Sequence, residues 1–102
     1  VTAAEGVRFD GGKLRVAHEL PADDPQNAVL LAYTEQYTAR YGTPPNTFGG
    51  HAYDAFQIVT QALSRNGPDP VALREAIEQT REFVGVSGIF GYSPDNHHGL
   101  DK

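Results

Sequence analysis

The sequence predicts an α+β chain of three helices with short strands. Apolar residues recur at steps of three and four in three separate segments, the period of a helix with one buried face. Clusters of proline and glycine stand between those segments and punctuate them. From Phe83 to Tyr92 the chain is rich in branched and aromatic residues broken by glycines, which suits extended backbone.

Residues 1–20 mix apolar and polar side chains around Gly11-Gly12. Val7, Phe9, Leu14 and Val16 fit two short extended pieces on either side of that turn. The stretch PADDP, Pro21 to Pro25, is a turn that also supplies helix-start chemistry. Asp24 before Pro25 has the pattern of an N-cap with proline at the first helical position. From Gln26 to Tyr41 the period is helical, through Leu30, Tyr33, Tyr37 and Tyr41 with Val29 alongside. Gly42 suits the C-cap, and Thr43-Pro44-Pro45 stops the helix. Aromatics at helical spacing usually bury, so the tyrosine stripe predicts core and rim packing before it predicts a ligand platform.

The next helix is expected from Gly50 to Arg65. Ala52, Ala55, Phe56, Val59, Ala62 and Leu63 form its apolar face, which Tyr53 and Ile58 widen. A helix apolar around much of its circumference wants partners on more than one side, and the alanines would let another element come close. Asn66-Gly67-Pro68 closes it, and Asp69-Pro70 opens a third helix, cap then proline again. Val71, Leu73, Ala76 and Ile77 give that helix a shorter apolar face, and Glu75 and Glu78 lie among Arg74 and Arg81 on a solvated side. A glycine-spaced strand and a turn-rich tail, Ser93 to Lys102, follow.

Composition narrows the function classes. A chain of 102 residues makes one small domain at most, with a modest core. A net charge of −5 without a basic stripe argues against a nucleic-acid surface. No apolar run approaches the length that spans a membrane. With no cysteine, disulfides and thiolate metal sites are excluded.

The chemical candidates each have a plainer reading. His51, His97 and His98 with Asp95 and Asp101 invite a metal, but neighbouring histidines point different ways and no HExxH or calcium loop is present. They read as turn histidines, and no cofactor is expected. Ser64 and Ser87 lie in no GxSxG elbow, and His51 and Asp54, three apart on a helix, have no nucleophile placed with them. Catalysis is not expected. Gly49-Gly50 ahead of a helix could present free N–H groups or let a ligand approach the backbone, or could simply relieve a joint between helices.

Nearly the whole chain resembles the C-terminal part of solute-binding proteins of the branched-chain amino acid ABC-transporter type, which have the type I periplasmic binding fold. The resemblance runs through Ala4-Glu5-Gly6-Val7, Leu20-Pro21 with Asp24-Pro25-Gln26, and the helix end Tyr37-Thr38-Ala39-Arg40-Tyr41-Gly42. It continues through Thr47-Phe48-Gly49-Gly50-His51-Ala52-Tyr53-Asp54-Ala55, then Gly85-Val86-Ser87-Gly88-Ile89-Phe90 and Ser93-Pro94-Asp95-Asn96-His97-His98-Gly99. It implies a two-lobed protein that closes over a small solute, an amino acid or an aromatic or short organic acid. Residues 1–102 would then be one partial domain, the C-terminal part of the first lobe.

The resemblance also implies that Phe48 faces the cleft, that Gly49 and Gly50 give clearance there, and that His51 lends a polar contact. An ABC transporter permease would be the protein partner. The location would be periplasmic, or lipid-anchored at the cell surface in a Gram-positive host. The main ligand clamps of such proteins and most of their sheet are absent from these 102 residues. The wide helix faces should therefore seek cover by self-association. The competing expectation is a small α+β interaction or dimerisation module, or the sensor remnant of a receptor.

Overall fold

The computed structural model describes residues 2–8 and 10–100. Three α-helices follow one another: α1 from Asn27–Tyr41, α2 from Thr47–Asn66 and α3 from Pro70–Glu78. Two short strands, β1 at Phe83–Val84 and β2 at Ile89–Phe90, form an antiparallel hairpin. Phe83 lies opposite Phe90 and Val84 opposite Ile89. The architecture is α+β, as the sequence predicts.

The helix ends follow local chemistry. Gly42 adopts φ 71° and donates its N–H to Thr38 O at 2.8 Å, closing α1 in a left-handed cap. Asp69 caps α3 as expected, its Oδ1 accepting from Ala72 N at 2.9 Å with Pro70 behind it. The start of α1 differs from expectation. The N-cap is Gln26, while Asp24 Oδ1 accepts from Gln26 N at 2.9 Å. The aspartate makes a turn two residues ahead of the helix instead of capping it. Its other oxygen accepts from Lys13 Nζ at 2.6 Å. These two contacts hold the Asp24 carboxyl below the usual carboxylate range, the lysine contact first.

Two corrections concern the strands. The extended pieces expected around Gly11-Gly12 do not form. Lys13–Glu19 is a 3-10 segment kinked at Val16, Val7 belongs to no strand, and Phe9 lies outside the described residues. With three residues per turn, Leu14 and Ala17 fall on one side and are both buried. Leu14 and Ala17 both bury in the cluster with Leu30 and Val86, which alternating strand faces would not allow at a spacing of three. The glycine-spaced run after α3 is a hairpin and not a single strand, because Gly85 N–H bonds back to Gly88 O at 2.9 Å.

The core gathers Leu14, Ala17, Leu30 and Val86, with Leu20, Val29, Tyr33 and Tyr53 packed around them. It therefore lies where the 3-10 segment, the first half of α1 and the hairpin turn meet. Ile58, Ala62 and Phe90 are buried outside that cluster, which makes seven buried apolar side chains among the described residues. Each fully buried Val, Leu, Ile or Phe contributes about 1.5–3 kcal/mol, so the core is modest for this length. The chain is correspondingly elongated. Its radius of gyration is 16.0 Å, against about 13 Å for a compact domain of 100 residues.

The tyrosine stripe of α1 grades outward. Tyr33 packs on Tyr53 with ring centroids 4.6 Å apart, and Tyr37 meets Tyr41 at 4.7 Å with the rings tilted by 48°. Tyr41 is mostly exposed. Packing at the core and rim is thus the role of its inner members.

A helix-start turn as the candidate functional site

The candidate site begins with Asn46. Its side-chain oxygen accepts from Gly49 N at 2.8 Å and its carbonyl from Gly50 N at 3.1 Å. This cap starts α2 at Thr47, so Gly49 and Gly50 lie inside the first turn and not ahead of it. Phe48 projects from that turn and is 85% exposed.

The two glycines have different surroundings. A Cβ on Gly49 would find its nearest neighbours at 3.5 and 3.7 Å, an ordinary contact distance. A Cβ on Gly50 would lie 2.9 Å from Leu14 Cδ2, 3.1 Å from Ser87 Oγ and 3.3 Å from Val86 Cγ2. Gly50 is buried, and what approaches it closely is the protein's own 3-10 segment and hairpin. His51 is exposed and lines a notch of about 320 Å³ with Thr47, Gly11, Gly12, Leu14, Ser87 and Leu100. The structure thus brings His51 and Thr47 to one notch, sets Gly50 at the joint beside it, and leaves Phe48 facing solvent outside it.

Two buried polar residues fix this turn against the hairpin, and sequence reasoning missed both roles. Asp54 is 1% exposed. Its carboxyl oxygens accept from Val86 N at 2.8 Å and Ser87 N at 2.7 Å. It is committed to backbone, not to His51. Gln26, also buried, donates Nε2 to Gly85 O at 2.8 Å. The hairpin turn Gly85–Ser87 is therefore gripped from the start of α1 and from the second turn of α2. Gly85 is needed there: a Cβ on it would sit 2.6 Å from Asp54 Cγ. The glycines either side of Val86-Ser87 were the available signal, since a glycine-flanked turn leaves N–H groups in search of acceptors.

Burial on α2 also departs from expectation. The buried positions are Gly50, Asp54, Ile58 and Ala62, one side of the helix at steps of four. Of the expected face, Ala62 is buried, whereas Ala52, Ala55, Phe56, Val59 and Leu63 are exposed. The smaller side won because glycine and alanine let the hairpin come close and Asp54 meets its N–H groups. The tail folds back on α3, where His97 Nε2 lies 3.1 Å from Glu78 Oε1.

The α+β unit thus displays its helix-start turn and does not enclose it. Residues 3–102 match the periplasmic binding protein family, and the chain belongs to it. No curated protein matches the chain. Among solved structures it is similar to an extracellular ligand-binding receptor from Rhodopseudomonas palustris HaA2. The two are 29% identical with a TM-score of 0.77, over 91% of this chain and 28% of that one. The chain thus spans less than a third of that receptor's length. The family is one of ligand binding, outside the cytoplasm.

Proposed function

We propose that this chain supplies one wall of the solute cleft in a solute-binding protein of an ABC uptake transporter. It corresponds to the C-terminal part of the first lobe, one partial domain over residues 1–102. The solute is an amino acid or an aromatic or short organic acid, carried to a permease and not chemically altered. Its place is the periplasm, or the cell surface by a lipid anchor. Phe48 makes the apolar contact, Gly49 gives clearance and His51 lends a polar group, with Gly50 setting the turn in place.

The observation that carries this is the 85% exposure of Phe48 at the capped start of α2, within a chain matched to the family from residue 3 to 102. A phenylalanine left in water at a rigid turn forgoes about 1.5–3 kcal/mol of burial, which a solute can supply. The test is nitrogen–proton NMR of the 102-residue chain with millimolar amino acids and aromatic acids. Saturable shifts should centre on residues 47–51 and vanish in Phe48→Ala. Shifts centred elsewhere, or unchanged by that substitution, would overturn the assignment.

A further inference from the structure

Four asparagines occur in the chain, and Asn66 is the one that glycine follows. Ala28, Thr47 and His97 follow the others, and each carries a Cβ beside its peptide nitrogen. The fold itself asks for glycine at 67. Gly67 closes α2 with φ 72° and donates its N–H to Leu63 O at 2.9 Å. A residue with a side chain is strained at that φ. The joint between α2 and α3 thus needs the very residue that leaves the Asn66 amide open to attack by the next nitrogen.

We propose that Asn66 is a deamidation site held shut by the last turn of α2. In the reaction the Gly67 nitrogen gives its proton to solvent and bonds to Asn66 Cγ. The Cγ–Nδ2 bond breaks, and ammonia leaves with a proton returned by solvent. The product is a five-membered succinimide. Water then opens it at either of its two carbonyls, leaving aspartate or isoaspartate at position 66.

Three features of the folded chain oppose ring closure. The attacking nitrogen is engaged, because Gly67 N–H is bonded to Leu63 O. The side chain is engaged too, since Asn66 Nδ2 donates to Ala62 O at 3.3 Å. Asn66 is also the last residue of α2. A helical ψ is about −42°, and the five-membered ring needs ψ turned well away from that. All three features are internal to α2 and its cap, and opening the last turn releases them together. Two hydrogen bonds suffice to slow the reaction by about tenfold or more.

Either product burdens the joint. A carboxylate at position 66 lies at the helix C-terminus, where the dipole is already negative. Isoaspartate also routes the main chain through Cβ, which moves the Gly67 N–H away from Leu63 O.

The test holds the 102-residue chain in mildly alkaline buffer, with and without urea, and maps its proteolytic peptides by mass over time. In urea Asn66 should convert ahead of Asn27, Asn46 and Asn96, and hydroxylamine should cut the chain after it. Without urea its conversion should be about tenfold slower or more, in step with hydrogen-exchange protection of the Gly67 amide. Asn66→Asp, which reproduces one product, should melt below Asn66→Gln, which keeps a neutral amide. Conversion of Asn66 in urea no faster than that of the other three overturns the site. Equal rates with and without urea overturn protection by the fold. Equal melting of the two variants overturns the burden assigned to the product.

Discussion

Replacing Asp54 with alanine should loosen the hairpin from the helices. The substitution removes the acceptors for two N–H groups, Val86 at 2.8 Å and Ser87 at 2.7 Å. Val86 is fully buried, so water does not reach its amide without opening the core. Each unsatisfied buried donor costs about 1–3 kcal/mol. Part of this is offset because a polar carboxyl no longer has to be held out of water. The expected loss is about 2–4 kcal/mol, a large share of the roughly 5–15 kcal/mol that stabilises a small domain. Urea unfolding measures the total, and hydrogen exchange at the Val86 and Ser87 amides locates it. Asp54→Asn should lose less, because its one amide oxygen can still accept from one of the two donors. Loss under 1 kcal/mol with unchanged protection of Val86 would refute the view that Asp54 holds the turn.

Two further expectations follow from the same geometry. Gly50→Ala should cost about 1–3 kcal/mol through contact with Leu14 and Val86, whereas Gly49→Ala, with its nearest neighbour at 3.5 Å, should stabilise the helix. Thermal midpoints that move in the same direction for both would contradict this. Asp24 has its folded pKa depressed by Lys13 and by the Gln26 amide, so its contribution is present above the unfolded carboxylate value of 3.8 and is lost as pH falls through the lower, folded one. Lys13→Ala should therefore flatten the acid limb of a stability–pH profile below that value, and an unaltered limb would count against the pairing.

Helices were legible wherever local residues suffice. Asp69-Pro70 and Gly42 act within a few positions of themselves, and their roles could be read directly. The first twenty residues were not legible, because alternating Val7, Leu14 and Val16 can bury as strand or as 3-10 turn, and the choice depends on neighbours far along the chain. On α2, hydropathy marks Phe56, Val59 and Leu63 as wanting cover, while close approach at Gly50 and the amide acceptors of Asp54 decide which side the described residues cover. The helix start at Asn46–His51 was visible as punctuation. The contact from Gln26 to Gly85 joins residues 59 apart in sequence, and no local pattern announces it.

The grip on residues 85–87 also divides the burden of change unevenly. Gln26 and Asp54 read a carbonyl and two amides, groups that every residue but proline possesses. The hairpin is thus recognised by the path of its main chain. Position 87 can drift among small side chains and still dock, while the two helical positions must keep a matching donor and acceptor. Change would therefore collect at position 87, while Gly85, the buried Val86 and the two helical positions are held.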